Sequence, residues 1–289
     1  MQNPLAIDLD HILDHTRELW DELRGQHIFI TGGTGFFGCW LLESFIWVNE
    51  KLNLHAQATV LTRSSDAFRV KAPHLAKNEA ISLIKGDVRT FDFPDETFSH
   101  VIHAATESST QLNDENPLLM LDAIIEGTRH TLDFARSCDA RKFLLTSSGA
   151  VYGRQPADMT HIPEDYSGAP DPMNGGPIIV KGGGTPYRSY LYAADFAIWL
   201  WTILFKGQSC RPCNVGSDES LSIREVTQRV AHCFSPKAQI EIRGKGNSNK
   251  PLERYVAGVH RARNKLRLDM LISPKDGIAR TIQSKKVRA

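Results

Sequence analysis

Three glycines spaced three residues apart, Gly32, Gly35 and Gly38, lie in the stretch TGGTGFFG from Thr31 to Gly38. The stretch follows the apolar run His27-Ile28-Phe29-Ile30 and precedes Cys39-Trp40-Leu41-Leu42, so it is expected to join a buried strand to a helix start. Such a turn aims backbone N–H groups and the positive end of a helix dipole at a pyrophosphate. Glycine suits it because a Cβ would obstruct the tight turn, the approach of the phosphate and the packing of helix on strand. A second candidate, Cys210-Arg-Pro-Cys213, has the spacing of a metal or redox pair. It has neither a second cysteine pair for zinc nor a thioredoxin-like surrounding, so inert thiols are expected and no metal site is.

The elements that must position the glycines alternate regularly. Apolar residues at helical spacing over 4–24 predict an amphipathic helix packed outside the first strand. Strands are expected at 27–31, 58–62, 81–84, 100–103 and 142–146, with helices running from the glycine turn to about Val48 and from Pro117 to Ser137. Apolar strands alternating with helices predict a doubly wound parallel α/β sheet of the Rossmann type. After Ser148 the rhythm breaks, and residues 153–187 are crowded with proline and glycine. A helix over Ala193–Phe205, a strand at 213–215, a helix over Ser222–Cys233, a strand at 239–242 and two C-terminal helices complete the reading. Residues 1–174 are thus expected to form the dinucleotide-binding domain and 175–289 the remainder, with a smaller substrate-binding lobe.

The 289 residues suffice for a full core, and 23% charged with 41% apolar residues is ordinary globular composition. A formal net charge of +1 gives no reason to expect nucleic acid or an acidic membrane surface. The basic tail Lys285-Lys286-Val287-Arg288 reads as solvated. There is no apolar run long enough to span a bilayer, and Met1–Asp10 lacks the basic-then-apolar order of a signal peptide, so a cytoplasmic protein is expected.

Several stretches line up, in order, with one family. TGGTGFFG, LTRS at 61–64, GDVR at 86–89, HAAT at 103–106, EGT at 126–128, SSGAVYG at 147–153, GTPYRSYLYAAD at 184–195 and NVGS at 214–217 cover most of the chain. By these motifs the chain resembles the extended short-chain dehydrogenase/reductases, in particular the nucleotide-sugar epimerases and dehydratases. The resemblance implies NAD or NADP as cofactor, held by Gly32, Gly35, Phe36, Phe37, Gly38, Arg63, Asp87, Val88, Ala104, Ala105 and Thr106. It also implies a nucleotide-sugar substrate. Arg63 ends the second strand, where a carboxylate would hold a ribose diol; an arginine instead suits adenine stacking or a 2′-phosphate, which tilts toward NADP. Asp87 stands where the family accepts from the adenine amino group, and a turn-capping aspartate is the alternative. His103 reads as a packed strand-end histidine.

Ser148, at the C-terminal end of the fifth strand, would hydrogen-bond the sugar oxygen being oxidised, and Ser147 is the alternative hydroxyl. Gly149 and Ala150 follow, where the dehydratase branch carries an acidic pair; elimination of water needs an acid and a base beyond the redox group, so epimerisation or keto-reduction is expected over dehydration. Arg188 matches the position that clamps the substrate pyrophosphate, a task for a permanently charged fork, with a loop-tying arginine as alternative. Tyr187 is expected to stack beside it, and Trp199 and Trp201 to be packing residues.

One part of the pattern is missing. The family pairs a tyrosine with a lysine four residues later, the phenolate serving as base. Four residues after the six tyrosines stand Pro156, Pro170, Leu191, Ala194, Phe196 and Val259. About 40 positions separate Ser148 from Arg188, too few for the catalytic helix and the next strand, so a segment is expected to be lacking near Asn174–Gly175. Ile124 stands where the family often has asparagine, which weakens the proton relay. Two functions follow as expectations: a nucleotide-sugar oxidoreductase, or a family member that binds the cofactor without turnover. A misfolded deletion product with an exposed sheet edge is a third. Family members often pair through helices that include the catalytic one, so a homodimer is expected only as far as the remaining helix suffices.

Overall fold

β1 (His27–Thr31) is the hub of a five-stranded sheet in the order β3-β2-β1-β4-β5, formed with β2 (Gln57–Thr62), β3 (Ile81–Lys85), β4 (His100–His103) and β5 (Lys142–Leu145). Every neighbouring pair is parallel, with Ile28 opposite both Ala58 and His100. This is the computed structural model, which describes residues 3–106, 116–167, 185–233 and 253–288. The chain divides into two compact units, one of Asp8–Thr146 with Leu200–Phe205, the other of Met1–Ile7, Ser147–Trp199 and Lys206–Ala289. The expected boundary at residue 174, the expected gap near Asn174–Gly175 and the strand expected at 239–242 lie outside the described residues.

In the first unit β1, β2 and β4 are buried along nearly their whole length, as the central strands of a covered parallel sheet are, whereas β3 and β5 at its edges are partly exposed. α2 (Phe36–Leu52) buries Leu41, Leu42, Phe45 and Val48, a helical stripe, and ends on Asn53 in the left-handed region at φ 49. Asn49 then ties the following loop by hydrogen bonds in both directions with Ala56, each 3.0 Å. α5 (Pro117–Ser137) starts at Asn116, whose side chain accepts from the Leu119 N–H, with proline in the first turn. Between them run the short α3 (Ser65–Lys71) and α4 (Pro73–Ala76), which the sequence pattern did not announce. In the core Phe29 stacks on Phe91 at 5.5 Å, while Phe98 and Phe134 meet Phe29 and each other edge-to-face or tilted at 4.5–5.5 Å.

The N-terminal helix is shorter than expected. α1 (Ala6–Thr16) gives way to a 3₁₀ turn over Arg17–Leu23. Thr16 leaves helical geometry at φ −127, ψ 1, donates to the Ile12 carbonyl and accepts from the Trp20 indole at 2.8 Å. That change of pitch lets Trp20 pack tilted against Trp201 (4.6 Å) and edge-on to Phe205 (5.8 Å), all buried.

In the second unit a small sheet has the order β7-β6-β8, with β6 (Tyr187–Ser189) antiparallel to β7 (Ser220–Ser222) and parallel to β8 (Arg254–Tyr255). α6 (Ala193–Lys206), whose Leu200–Phe205 stretch belongs to the first unit, α7 (Ile223–His232), α8 (His260–Leu266) and α9 (Pro274–Arg288) follow the expected helices closely. A capping box in which Ser222 and Glu225 bond reciprocally starts α7. Residues 213–215 are not a strand. Asn214 instead donates to the carbonyls of Ile162 and Gly258, and its N–H donates to Glu164, so its bonding is spent on a loop junction. Trp199 and Trp201 are packing residues, each with its indole N–H satisfied, by Asp269 and Ser44.

Candidate functional site

The strand order reverses between β1 and β4, and the chain's glycine loop leaves β1 at that switch point. Gly32 adopts φ +73, and a Cβ there would stand 2.4 Å from the carbonyl of Ala104, so the loop lies flat on the residues that end β4. A Cβ on Gly38 would fall 2.3 Å from the Gly32 carbonyl oxygen, which fixes how tightly α2 sits on the loop. Gly35 caps the helix, and only the Gly32 oxygen lies within 4 Å of where its Cβ would be, at 3.2 Å. The first turn of α2 behind Gly35 is therefore free of a Cβ and little crowded, the condition under which backbone N–H groups can approach a pyrophosphate. Lys71 reaches from α3 to donate to the Thr34 carbonyl at 2.6 Å and pins the loop from outside. Phe36 and Phe37 stand exposed beside it, ring against ring at 5.4 Å. These residues fit a dinucleotide.

The end of β4 is fixed as firmly. Thr31 hydrogen-bonds His103 at 2.8 Å and accepts from the Ala105 N–H at 3.3 Å. His103 reaches Thr128 at 3.2 Å on its other side, and burial pushes its pKa down to about 4, so it is a neutral packed histidine. Ala104 and Ala105 are half-buried and Thr106 exposed. At the ends of β2 and β3, Asp87 takes both Nε and Nη2 of Arg89 at 2.9 Å and its backbone N–H as well. Arg89, with a smaller contribution from Arg63, holds the Asp87 carboxyl at about 2. Val88 packs under α5, where a Cβ on Gly127 would meet it at 2.8 Å.

The second unit holds the other group of candidate residues. Ser148 caps a 3₁₀ turn over Gly149–Tyr152 and accepts from the Ala150 N–H at 3.2 Å. Arg188 donates to the Tyr187 carbonyl at 2.9 Å, approaches Glu253 at 4.0 Å and lies over the Tyr255 ring at 6.0 Å. The partner expected for it was Tyr187, but that ring carries Arg254 instead, at 4.5 Å. The β6–β8 register, Tyr187 opposite Arg254 and Arg188 opposite Tyr255, produces this crossed pairing. The Tyr255 hydroxyl lies against Gly149, next to Ser148, 2.0 Å from where a Cβ on that glycine would stand. Ser148 and Arg188, far apart in sequence, are thus both neighbours of Tyr255, which sequence reasoning missed because a two-residue strand carries no periodic signal. Tyr152 is spent on Asn214 at 2.8 Å. Burial pushes the Cys213 thiol up to about 11, away from the thiolate form.

A parallel sheet with a glycine turn at its switch point defines a dinucleotide-binding α/β protein. The chain belongs to the NAD dependent epimerase/dehydratase family, whose model matches residues 28–175. The uncharacterized protein MJ1055 of Methanocaldococcus jannaschii is 24% identical over 137 residues, 45% of this chain, and the match spans 42% of that protein's length. Among solved structures, UDP-glucose 4-epimerase of Thermotoga maritima with UDP-glucose superposes with a TM-score of 0.70 at 14% identity, over 91% of this chain and 99% of that one. dTDP-glucose 4,6-dehydratase of Bacillus anthracis with NAD gives 0.72 at 15%, over 91% and 97%. WbmF of Bordetella bronchiseptica with NAD+ and UDP gives 0.66 at 15%, over 93% and 94%. At these identities the likeness is one of fold. No helix among the described residues is long and apolar enough to cross a membrane.

Proposed function

We propose that the chain binds NAD(P) on its glycine loop and a nucleoside-diphosphate sugar through Ser148 and Arg188, in the cytosol, as a sugar-nucleotide epimerase or keto-reductase. The observation that carries this is the seating of Gly32 on Ala104 at the switch point, with the helix start behind Gly35 little crowded. When bound, the nicotinamide supplies a hydride acceptor and donor. The chain's own residues do the rest. The glycine loop and α2 hold the pyrophosphate. Arg63 and Asp87 lie at the adenosine end. The Ser148 hydroxyl orients the sugar oxygen, and the Arg188 fork suits the substrate's phosphates. Dehydration is disfavoured because Gly149 and Ala150 carry no acid or base.

A second reading, that the chain binds without turnover, is favoured by the lack of any lysine four residues after a tyrosine. An unactivated hydroxyl such as Ser148 stays protonated near neutral pH and cannot replace a phenolate. Incubation with NAD+ or NADP+ and UDP-glucose, followed by analysis of the sugar, separates the two. Formation of the 4-epimer or of a 4-keto sugar establishes the enzyme. Tight binding of both ligands with an unchanged sugar establishes the binder. No binding of either ligand overturns both readings.

A further inference from the structure

Gly149 has a neighbour that its place in sequence does not reveal. A Cβ built on it would stand 2.0 Å from Tyr255 Oη and 2.7 Å from Cζ, with no other atom nearer than 3.3 Å. The obstruction is thus a single side chain from β8, and it is polar. Tyr255 is flanked on two sides: its hydroxyl lies against Gly149, beside Ser148, which pulls the phenol's pKa down, and the Arg188 guanidinium lies over its ring. Ser148 Oγ already accepts from the Ala150 N–H, which turns its own proton toward Tyr255 or a ligand. Ser148 and Tyr255 both remain exposed.

We propose that Tyr255 is a specificity-determining residue of this site: its hydroxyl occupies the room that a side chain at position 149 would need, and with Ser148 it forms a two-hydroxyl seat for one oxygen of the sugar. This rests on the reading that Ser148 meets a sugar. Burial raises the Tyr255 phenol above its ordinary value, against the smaller opposing pulls of Ser148 and Arg188, so the group keeps its proton at neutral pH. It can donate a hydrogen bond but is not a base. Two hydroxyls side by side suit a sugar oxygen that both donates and accepts, and they leave no space for the carboxylate that elimination would require at 149. The closeness of Oη to Gly149 therefore selects against one branch of chemistry as well as for a ligand group.

Two experiments on the full chain test this. In thermal melts, Gly149→Ala should lower the melting temperature by several degrees through overpacking, and the same change made in a Tyr255→Ser background, which lacks both Oη and Cζ, should cost much less. Equal losses with tyrosine or serine at 255 would overturn the spatial claim. If Gly149→Ala does not fold, recovery of folding in the double variant supports it and continued failure opposes it. In calorimetric titrations, Tyr255→Phe should weaken UDP-glucose about fivefold while leaving UDP unchanged, the value of one lost hydrogen bond. Equal effects on UDP and UDP-glucose, or none, would overturn the sugar seat. Failure of wild-type chain to bind UDP-glucose would sink the proposed function and the seat with it, while the melts still decide the spatial claim.

Discussion

Asp87 and Arg89, two residues apart, form a closed fork: Nε to Oδ1 and Nη2 to Oδ2 are both 2.9 Å, and the Arg89 N–H adds a third bond to Oδ1. The carboxyl is held at about 2, below the ordinary value near 3.9. A carboxyl depressed on folding contributes stability that is fully present above about pH 4 and lost as the pH falls toward 2. Both side chains are about one-third exposed, so the contribution at neutral pH is modest, about 1 kcal/mol. Asp87→Asn should therefore melt lower than wild type at pH 7, with the gap narrowing steadily between pH 5 and 2. A gap independent of pH would show that the fork carries no linkage.

The same fork decides what remains for the cofactor. Asp87 is paired with Arg89, and a second guanidinium, Arg63, lies near enough to pull its carboxyl down as well. A 2′-phosphate is matched by that charge, whereas a ribose diol needs an acceptor at the end of β2. NADP+ should bind about tenfold more tightly than NAD+ in fluorescence titrations at low salt, and the preference should shrink as salt is raised. Arg63→Ala should bring the two affinities together. An NAD+ preference in wild type would refute the assignment.

Gly32 and Gly25 make a controlled pair, both at positive φ, +73 and +64. Around Gly25 nothing lies within 4 Å of a new Cβ, while at Gly32 backbone atoms of Ala104 and Ala105 stand at 2.4–2.6 Å. Gly25→Ala should cost only the conformational strain, about 1 kcal/mol, and leave dinucleotide binding intact. Gly32→Ala must push β4 and the loop apart. It should destabilise by more than about 2 kcal/mol and abolish dinucleotide binding, measured by denaturant unfolding and titration.

The glycine loop, the five parallel strands and the long helices were legible because each rests on a local pattern: apolar runs, helical spacing, a turn that only glycine permits. What was not legible depends on pairing between distant segments. Thr16 has ordinary helix-compatible neighbours, yet its bonds to Ile12 and Trp20 end α1 because a cluster with Trp201 rewards the change of pitch. Asn214 sits in a strand-like apolar context but is recruited by the carbonyls of Ile162 and Gly258. Tyr255 lies in a two-residue strand too short to show periodicity, and its meeting with Arg188 follows only from the β6–β8 register.

His103 links the core of the sheet to pH. It is buried, bonded to Thr31 and Thr128, and burial holds its pKa at about 4 against an ordinary value near 6.5. A histidine depressed on folding is neutral in the native state while the unfolded chain takes up a proton first. The stability it supports is thus complete above about pH 6.5 and lost as the pH falls toward 4. His27 and His100 are lowered in the same direction, also chiefly by burial, so the slope is shared. Melting temperature should fall on going from pH 7 to pH 5, and more steeply below. His103→Asn loses one hydrogen-bonding arm and should start lower at pH 7, but its decline with acid should be shallower. The imidazole resonances of His103, followed by NMR, should stay in the neutral form down to about pH 5. An unaltered slope in the variant, or a midpoint near 6.5 for His103, would place the acid sensitivity elsewhere in the molecule.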